Sequence, residues 1–317
     1  MKKQLFGFIL FFNSCFSIHT MAQVMSLNGV AITASGGSPS NCTAGGYKTL
    51  NSAGVSGNCV TFSTAAFQSG AIWACSGINL NQSFKLTFQI NFGTNTSAGD
   101  GMVFLLQTEG VPQVIGGRGG GLGYAQGDGN GCQGGTCPIT PSIAVEFDTY
   151  DNSPAASGGL NDIACNHTSI QKNGDMLSAN TMAEPACLIS SGATVIDGVN
   201  HNVCITWNPA LNKYTVFFDG VQRLQYSGDI RTAFTDPTNV YWGFTGASGG
   251  LAQTQSICSA AMLTNIASPS CSCTPPVMTS ASTTTICSGN STSIALTSNP
   301  TGASFSWIAA SNANVTG

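Results

Sequence analysis

Charge is what this sequence has least of. Its 317 residues include 9 Lys+Arg, 13 Asp+Glu and 3 His, so charged side chains make up 7%, against about 25% in an ordinary soluble domain. With a formal net charge of −4 and so few cations, there is no basic stripe to neutralise phosphates, which excludes a nucleic-acid binder of the usual kind. The shortage of Lys and Glu argues against long amphipathic surface helices, whose outer faces draw on those residues. Long apolar runs are also missing. Leu5–Phe12 falls well short of the ~20 residues that cross a bilayer, and no later segment does better, so no membrane span is expected.

What remains is Gly (39), Cys (13) and many Ser, Thr, Asn and small apolar residues. Thr, Val, Ile and Phe set among turn formers predict many short strands. Alternating or apolar runs stand at Phe84–Ile90, Gly101–Leu106, Ser142–Phe147, Val203–Trp207 and Tyr214–Phe218. The last runs into Asp219-Gly220 and then Val221–Leu224, a two-residue hairpin signal. This spacing predicts an all-β antiparallel sandwich over residues 23–266, within the size range of that class.

Lys2 and Lys3, the apolar run and the small residues Thr20-Met21-Ala22 read as a signal peptide over residues 1–22, cleaved before Gln23. An N-terminal anchor is excluded by length, and a lipoprotein site at Cys15 fits poorly because Asn13-Ser14 precede it. The mature chain is therefore expected outside the inner membrane, secreted or on the cell surface. It keeps 7 basic residues and an even 12 cysteines, which in an oxidising compartment favours disulfides. Cys132–Cys137, within one glycine-rich loop, and Cys165–Cys187 are the candidate pairs. Zinc at Cys132-Cys137 or Cys271-Ser272-Cys273 is the rival, but neither has the partner spacing zinc needs.

Composition changes at residues 267–278 (ASPSCSCTPPVM), which reads as a linker. Residues 279–317 alternate like the first strands of an Ig-like module, in too short a stretch to bury a core alone.

Five of the carboxylates lie between residues 146 and 175. On a strand, Glu146, Asp148, Tyr150 and Asn152 share one face, while Val145, Phe147 and Thr149 take the other. Carboxylates at i and i+2 repel unless solvated or bridged. Asp162 and His167 follow a loop of small residues able to fold back over the strand end. One reading is a solvated strand face. The other is a cation site: carboxylates, an Asn oxygen and a backbone carbonyl suit calcium, and carboxylates with one imidazole suit a manganese-type ion.

Glu146-Phe147-Asp148-Thr149-Tyr150-x-Asn152 followed by Asp162 and His167 resembles the metal-binding signature of legume-type (L-type) lectins. The likeness continues through Gln68–Trp73, Gly99–Leu105, Gly119–Tyr124, Tyr214–Gly220 and Trp242–Ala247. It implies a concanavalin-like β-sandwich, or jelly roll, that binds glycans or polysaccharides without catalysis. It further implies Mn²⁺ or another transition ion on Glu146, Asp148, Asp162 and His167, and Ca²⁺ on Asp148, the Tyr150 carbonyl, Asn152 and Asp162. Sugar binding would fall to Asp100, a backbone N–H of Gly119 or Gly120, the Asn152 amide and the Tyr150 ring. Three departures from plant members stand out: Gly99 in place of Ala before Asp100, a longer stretch from Asn152 to Asp162, and Cys165-Asn166 before His167. Residues 246–253 match the loop that sets sugar preference. The tail, through Thr285–Gly289 and Phe305–Ile308, resembles PKD-like Ig-fold repeats.

Two other functions use the same residues. Glu146-x-Asp148-x-x-Asp151 nearly matches the catalytic strand of laminarinase-type glycoside hydrolases, which need two carboxyls ~5–5.5 Å apart. A structural adhesion module would use the ions only to rigidify a loop.

Overall fold

The computed structural model describes residues 23–34, 42–111, 114–126, 138–152, 162–176, 180–189 and 193–271, with the backbone of 277–278 and 298–299. The expected signal peptide, the cysteines at 132 and 137, and nearly all of the tail module lie outside the described residues.

The runs that alternate in the sequence are strands. Seven form one sheet in the order β11 (Thr181–Cys187), β10 (His167–Lys172), β9 (Ser142–Asp148), β8 (Gly101–Gln107), β15 (Tyr241–Ala247), β6 (Ser69–Ala74) and β3 (Gly46–Asn51). The facing sheet runs β14 (Val221–Ser227), β13 (Lys213–Phe218), β12 (His201–Asn208), β7 (Phe84–Asn91), β16 (Gln255–Thr264) and β1 (Met25–Leu27). On it, β16 also pairs with β5 (Cys59–Ser63), which pairs with β4 (Gly54–Ser56). Strand β2 (Val30–Ala34) pairs with β1 in one sheet and, through Thr33 and Ala34, with β3 in the other. The expected all-β sandwich is the fold. Among the described residues, no helix is long and apolar enough to cross a membrane.

The core explains why the sheets face each other. Met102, Phe104 and Leu106 of β8 and Val145 and Phe147 of β9 point inward against Phe88, Val203, Ile205 and Val216. Phe88 meets Phe147 edge-on at 5.9 Å and Phe244 at 4.9 Å. Each such ring contributes about 1.5–3 kcal/mol by burial. Strands β8 and β9 are buried along their whole length, because their outer face is covered too. Val114, Ile115, Leu122 and Tyr124 fold over Trp73, Val103, Leu105 and Ala144 as a second apolar layer, pinned by the Trp73 Nε1 bond to the Val114 carbonyl at 2.8 Å. That covering loop brings Gly119 and Gly120 to the end of β9.

The Asp219-Gly220 turn joins β13 to β14 with φ of +47° and +77°, the conformation such a hairpin requires. Among the described residues four disulfides fasten the body: Cys42–Cys75, Cys59–Cys258, Cys165–Cys187 and Cys204–Cys271. The expected Cys165–Cys187 pair is present, and Cys271 is committed to Cys204 rather than to zinc. Cys59–Cys258 closes a loop of 199 residues, so the double substitution to Ser is expected to lower unfolding stability by about 5 kcal/mol on chain-entropy grounds. Urea unfolding of the variant measures it; a loss under about 1 kcal/mol would show that strand pairing alone holds that edge.

Candidate metal centre and adjoining depression

Strand β9 supplies the centre because its polar side chains sit on the face opposite the sandwich core. Register does the rest. Antiparallel pairing with β10 sets His167 opposite Asp148 and Ser169 opposite Glu146. Asp162 arrives from the segment before β10. One oxygen of Asp148, one of Asp162 and a nitrogen of His167 lie within 4.8 Å of one another. His167 Nε2 is 3.7 Å from Asp162 Oδ1 and 3.8 Å from Glu146 Oε1. The His167 Nδ1–H donates to the Cys165 carbonyl at 3.1 Å, which leaves the Nε2 lone pair facing the carboxylates.

Burial makes this arrangement unfavourable by itself. Glu146, Asp148 and His167 are 2%, 1% and 1% exposed. Desolvation pushes the Glu146 carboxyl up to about 7, although the Ser169 hydroxyl donates to it. It pushes Asp162 up to about 6, against the Asn152 N–H that donates to Oδ2. Asp148 rises well above the usual carboxylate range, first from burial and then from Asp162 and Glu146. Burial lowers His167. Four atoms of the group have no hydrogen-bond partner: Glu146 Oε2, Asp148 Oδ2, Asn152 Oδ1 and His167 Nε2. Two orphaned, buried carboxylate oxygens, an amide oxygen and an imidazole nitrogen, with the Asp162 carboxylate beside them, are the donor set of a divalent cation. The residues present fit such ions.

The strand end is held from several sides. Asp148 Oδ1 accepts the Tyr150 N–H at 2.7 Å. Asn166 donates to the Thr149 carbonyl and accepts from Thr194 and Val195. The Cys165–Cys187 bridge anchors the same loop. The stretch 153–161, where the spacing exceeds that of plant members, lies outside the described residues.

Next to this centre, Asp100, Gly120, Tyr150 and Asn152 line a depression of about 300 Å³ with Gly99, Gly249, Gly250 and Leu251. Gly119 and Gly120 are both buried; Gly120 borders the depression, while the Gly119 carbonyl accepts the Leu122 N–H and its Cα would lie 3.6 Å from a Cβ on Gly249. Asp100 follows a cis peptide after Gly99, and its carbonyl accepts both the N–H (2.8 Å) and the hydroxyl (2.9 Å) of Thr149. Gly99 permits close packing: a Cβ there would lie 2.5 Å from Tyr150 Cβ. Tyr150 therefore rests on Gly99 with its side chain 42% exposed. Two buried glutamines support the pocket, Gln255 bonding the Gly99 and Ala247 carbonyls and Gln253 that of Ala98.

The sequence profile described as the legume lectin β-barrel domain matches residues 21–261. The chain belongs to the L-type lectin family. Solved lectins share the fold of this domain at low identity. The basic winged bean lectin, solved with Tn-antigen, superposes with a TM-score of 0.53 at 19% identity, covering 68% of this chain and 91% of that one. A Bauhinia forficata lectin in complex with GalNAc gives 0.52 at 20%, covering 68% and 91%. The exoplasmic/lumenal domain of VIP36, in a Ca²⁺/Man3GlcNAc-bound form, gives 0.50 at 14%, covering 71% and 85%.

Sequence reasoning did not find the partners that orient this lectin domain's site. Ser169, Gln253 and Gln255 are ordinary polar residues in the chain and gain meaning only from register. Nor did it find Phe67 and Arg118, which line a second depression on the far side of Gly249–Gly250.

Proposed function

We propose that this chain is an exported lectin whose glycan binding depends on divalent ions. One transition ion would sit on Glu146, Asp148, Asp162 and His167, and one calcium on Asp148, the Tyr150 carbonyl, Asn152 and Asp162. The carrying observation is the set of unpartnered, buried oxygen and nitrogen atoms converging beneath the Tyr150–Asn152 turn. A bound cation turns their mutual repulsion into attraction and fixes the turn, so that the Asn152 amide and the Tyr150 ring face the depression ready for a saccharide. Asp100 accepts hydrogen bonds from vicinal hydroxyls, the Gly120 backbone approaches closely, and Tyr150 offers an apolar face to the C–H side of a pyranose.

The hydrolase reading is less well supported. Glu146 and Asp148 are too deeply buried to reach a glycosidic bond, and Glu146 is engaged by Ser169. Purified, calcium- and manganese-loaded protein on a glycan array is expected to retain a defined set of glycans, lose them all in EDTA, and regain them with calcium. Retention that survives complete ion removal, or no retention with ions bound, would overturn the proposal. The latter result together with calcium-dependent melting would favour a structural adhesion module.

A further inference from the structure

Phe67 and Arg118 are an unusual pair in this molecule. Phe67 adopts a φ of +56°, a conformation that is costly for a bulky residue, and its ring is 49% exposed rather than buried in either apolar layer. Its N–H donates to the Gly249 carbonyl at 2.8 Å. Its carbonyl accepts Arg118 Nη1 at 2.8 Å, and the guanidinium lies 5.8 Å from the ring centroid. The chain thus holds an aromatic face and one of its three arginines together at the rim. With Asn51, Ser52, Gln68 and Ser69 they line a depression of about 210 Å³. Two buried polar atoms of this lining have no partner, Arg118 Nε and the hydroxyl oxygen of Ser69, which is 4% exposed.

This depression adjoins the one lined by Asp100 and Asn152, with a single stretch of backbone between them. A Cβ on Gly249 would meet Asp100 Oδ2 at 3.1 Å, whereas a Cβ on Gly250 would meet the Phe67 ring at 3.7 Å. Both glycines line the Asp100 depression, yet the position of a Cβ on Gly250 faces Phe67, so this stretch, bare of side chains, is all that stands between Asp100 and the Phe67 ring. On the other border, Arg118 leads directly into Gly119-Gly120.

We propose that the Phe67–Arg118 depression is a second saccharide subsite, which takes an acidic sugar linked to the one held at Asp100. The aromatic face suits the C–H side of a pyranose. The guanidinium suits a planar carboxylate, for which its fork is built, and no carboxylate side chain belongs to the lining. The unpartnered Ser69 hydroxyl supplies a further hydrogen bond. The preferred ligand is thus an oligosaccharide carrying a hexuronic acid next to its recognised terminal sugar. This assignment rests on the saccharide reading of the neighbouring pocket.

The test uses the ion-loaded full chain and matched probes. The first is the methyl glycoside of the neutral monosaccharide the protein retains best. The others are two disaccharides ending in that sugar, one with a neutral hexose beside it and one with the corresponding hexuronic acid. Wild-type protein is expected to bind the acidic disaccharide roughly tenfold more tightly than the neutral one by calorimetry, with the preference shrinking as salt is raised. Arg118→Gln removes the preference and leaves monosaccharide affinity unchanged, while Arg118→Lys keeps part of it. Phe67→Ala weakens both disaccharides and not the monosaccharide. Equal affinity for the two disaccharides in the wild type, or a preference that persists in Arg118→Gln, overturns the subsite alone. Failure to retain any of the three probes overturns the neighbouring pocket and the subsite together.

Discussion

Stripped of divalent ions, the protein is expected to become more stable as pH falls from 8 to 5, and loaded with calcium and manganese it is expected to do the reverse. The sign follows from where the protons sit. In the ion-free fold the Glu146 carboxyl is pushed up to about 7 from its ordinary 4.5, and Asp162 up to about 6 from 3.8, both chiefly by burial; Asp148 moves the same way. Between these ordinary and raised values, the folded chain holds protons that the unfolded chain has released. Stability therefore falls as pH rises through that window and is lowest above it. For Glu146, fully buried, the change corresponds to roughly 3 kcal/mol. His167, lowered by burial, acts in the opposite sense below about 6.5 and offsets part of the gain. Ions reverse the balance because they bind the deprotonated ligands: their uptake releases protons, and acid expels them. Each ion at a hundred times its dissociation constant adds about 2.7 kcal/mol. Thermal melts at pH 5, 6, 7 and 8, in EDTA and in calcium plus manganese, should therefore give slopes of opposite sign. Parallel slopes would mean that the buried group is not a cation site.

This centre was partly legible in the chain, and the boundary between legible and hidden is physical. Glu146 and Asp148 could be assigned to one face because strand side chains alternate, and Val145 and Phe147 did enter the core on the other. The β13–β14 hairpin was legible because Asp219-Gly220 has one favoured geometry. What hid the rest was pairing across long separations. That Ser169 lies against Glu146 depends on the register of β9 with β10, set beyond an intervening loop. Cys59 meets Cys258 only because β5 and β16 are neighbours in the sheet. A second apolar layer outside β8 left Gly101–Leu106 uninterrupted by polar residues, so periodicity alone did not show which of its faces met the core. Gly119 and Gly120 read alike in the chain and are both buried; only the closed turn sets Gly120 against the depression. Phe67 and Arg118 are separated by 50 residues of ordinary strand and loop, and only the fold joins them.

Asn152→Ala is expected to eliminate glycan binding, by at least about a hundredfold, with a stability effect whose sign depends on the ions. In the ion-free protein, Asn152 Oδ1 is buried without a partner, so its removal relieves an unsatisfied group and should leave stability equal or slightly higher. The backbone bond that holds the turn, from Asn152 N–H to Asp162, does not involve the side chain and survives. With calcium present, the same substitution removes a ligand and should lower the melting temperature relative to the wild type. The glycan loses more, since it would forfeit both the amide N–H donor and the ion that fixes the turn; about 1–3 kcal/mol for a sugar hydroxyl left without its donor, added to the lost preorganisation of the turn, accounts for the expected loss. Asn152→Asp separates the two contributions. It keeps an oxygen for the ion and deletes the donor, so it should still take up calcium, as measured by elemental analysis, and still fail to retain the glycan. If Asn152→Asp bound glycan as the wild type does, the amide would have no part in recognition. If Asn152→Ala changed neither calcium uptake nor glycan affinity, the turn at Tyr150–Asn152 would be a surface loop and not the floor of a binding site.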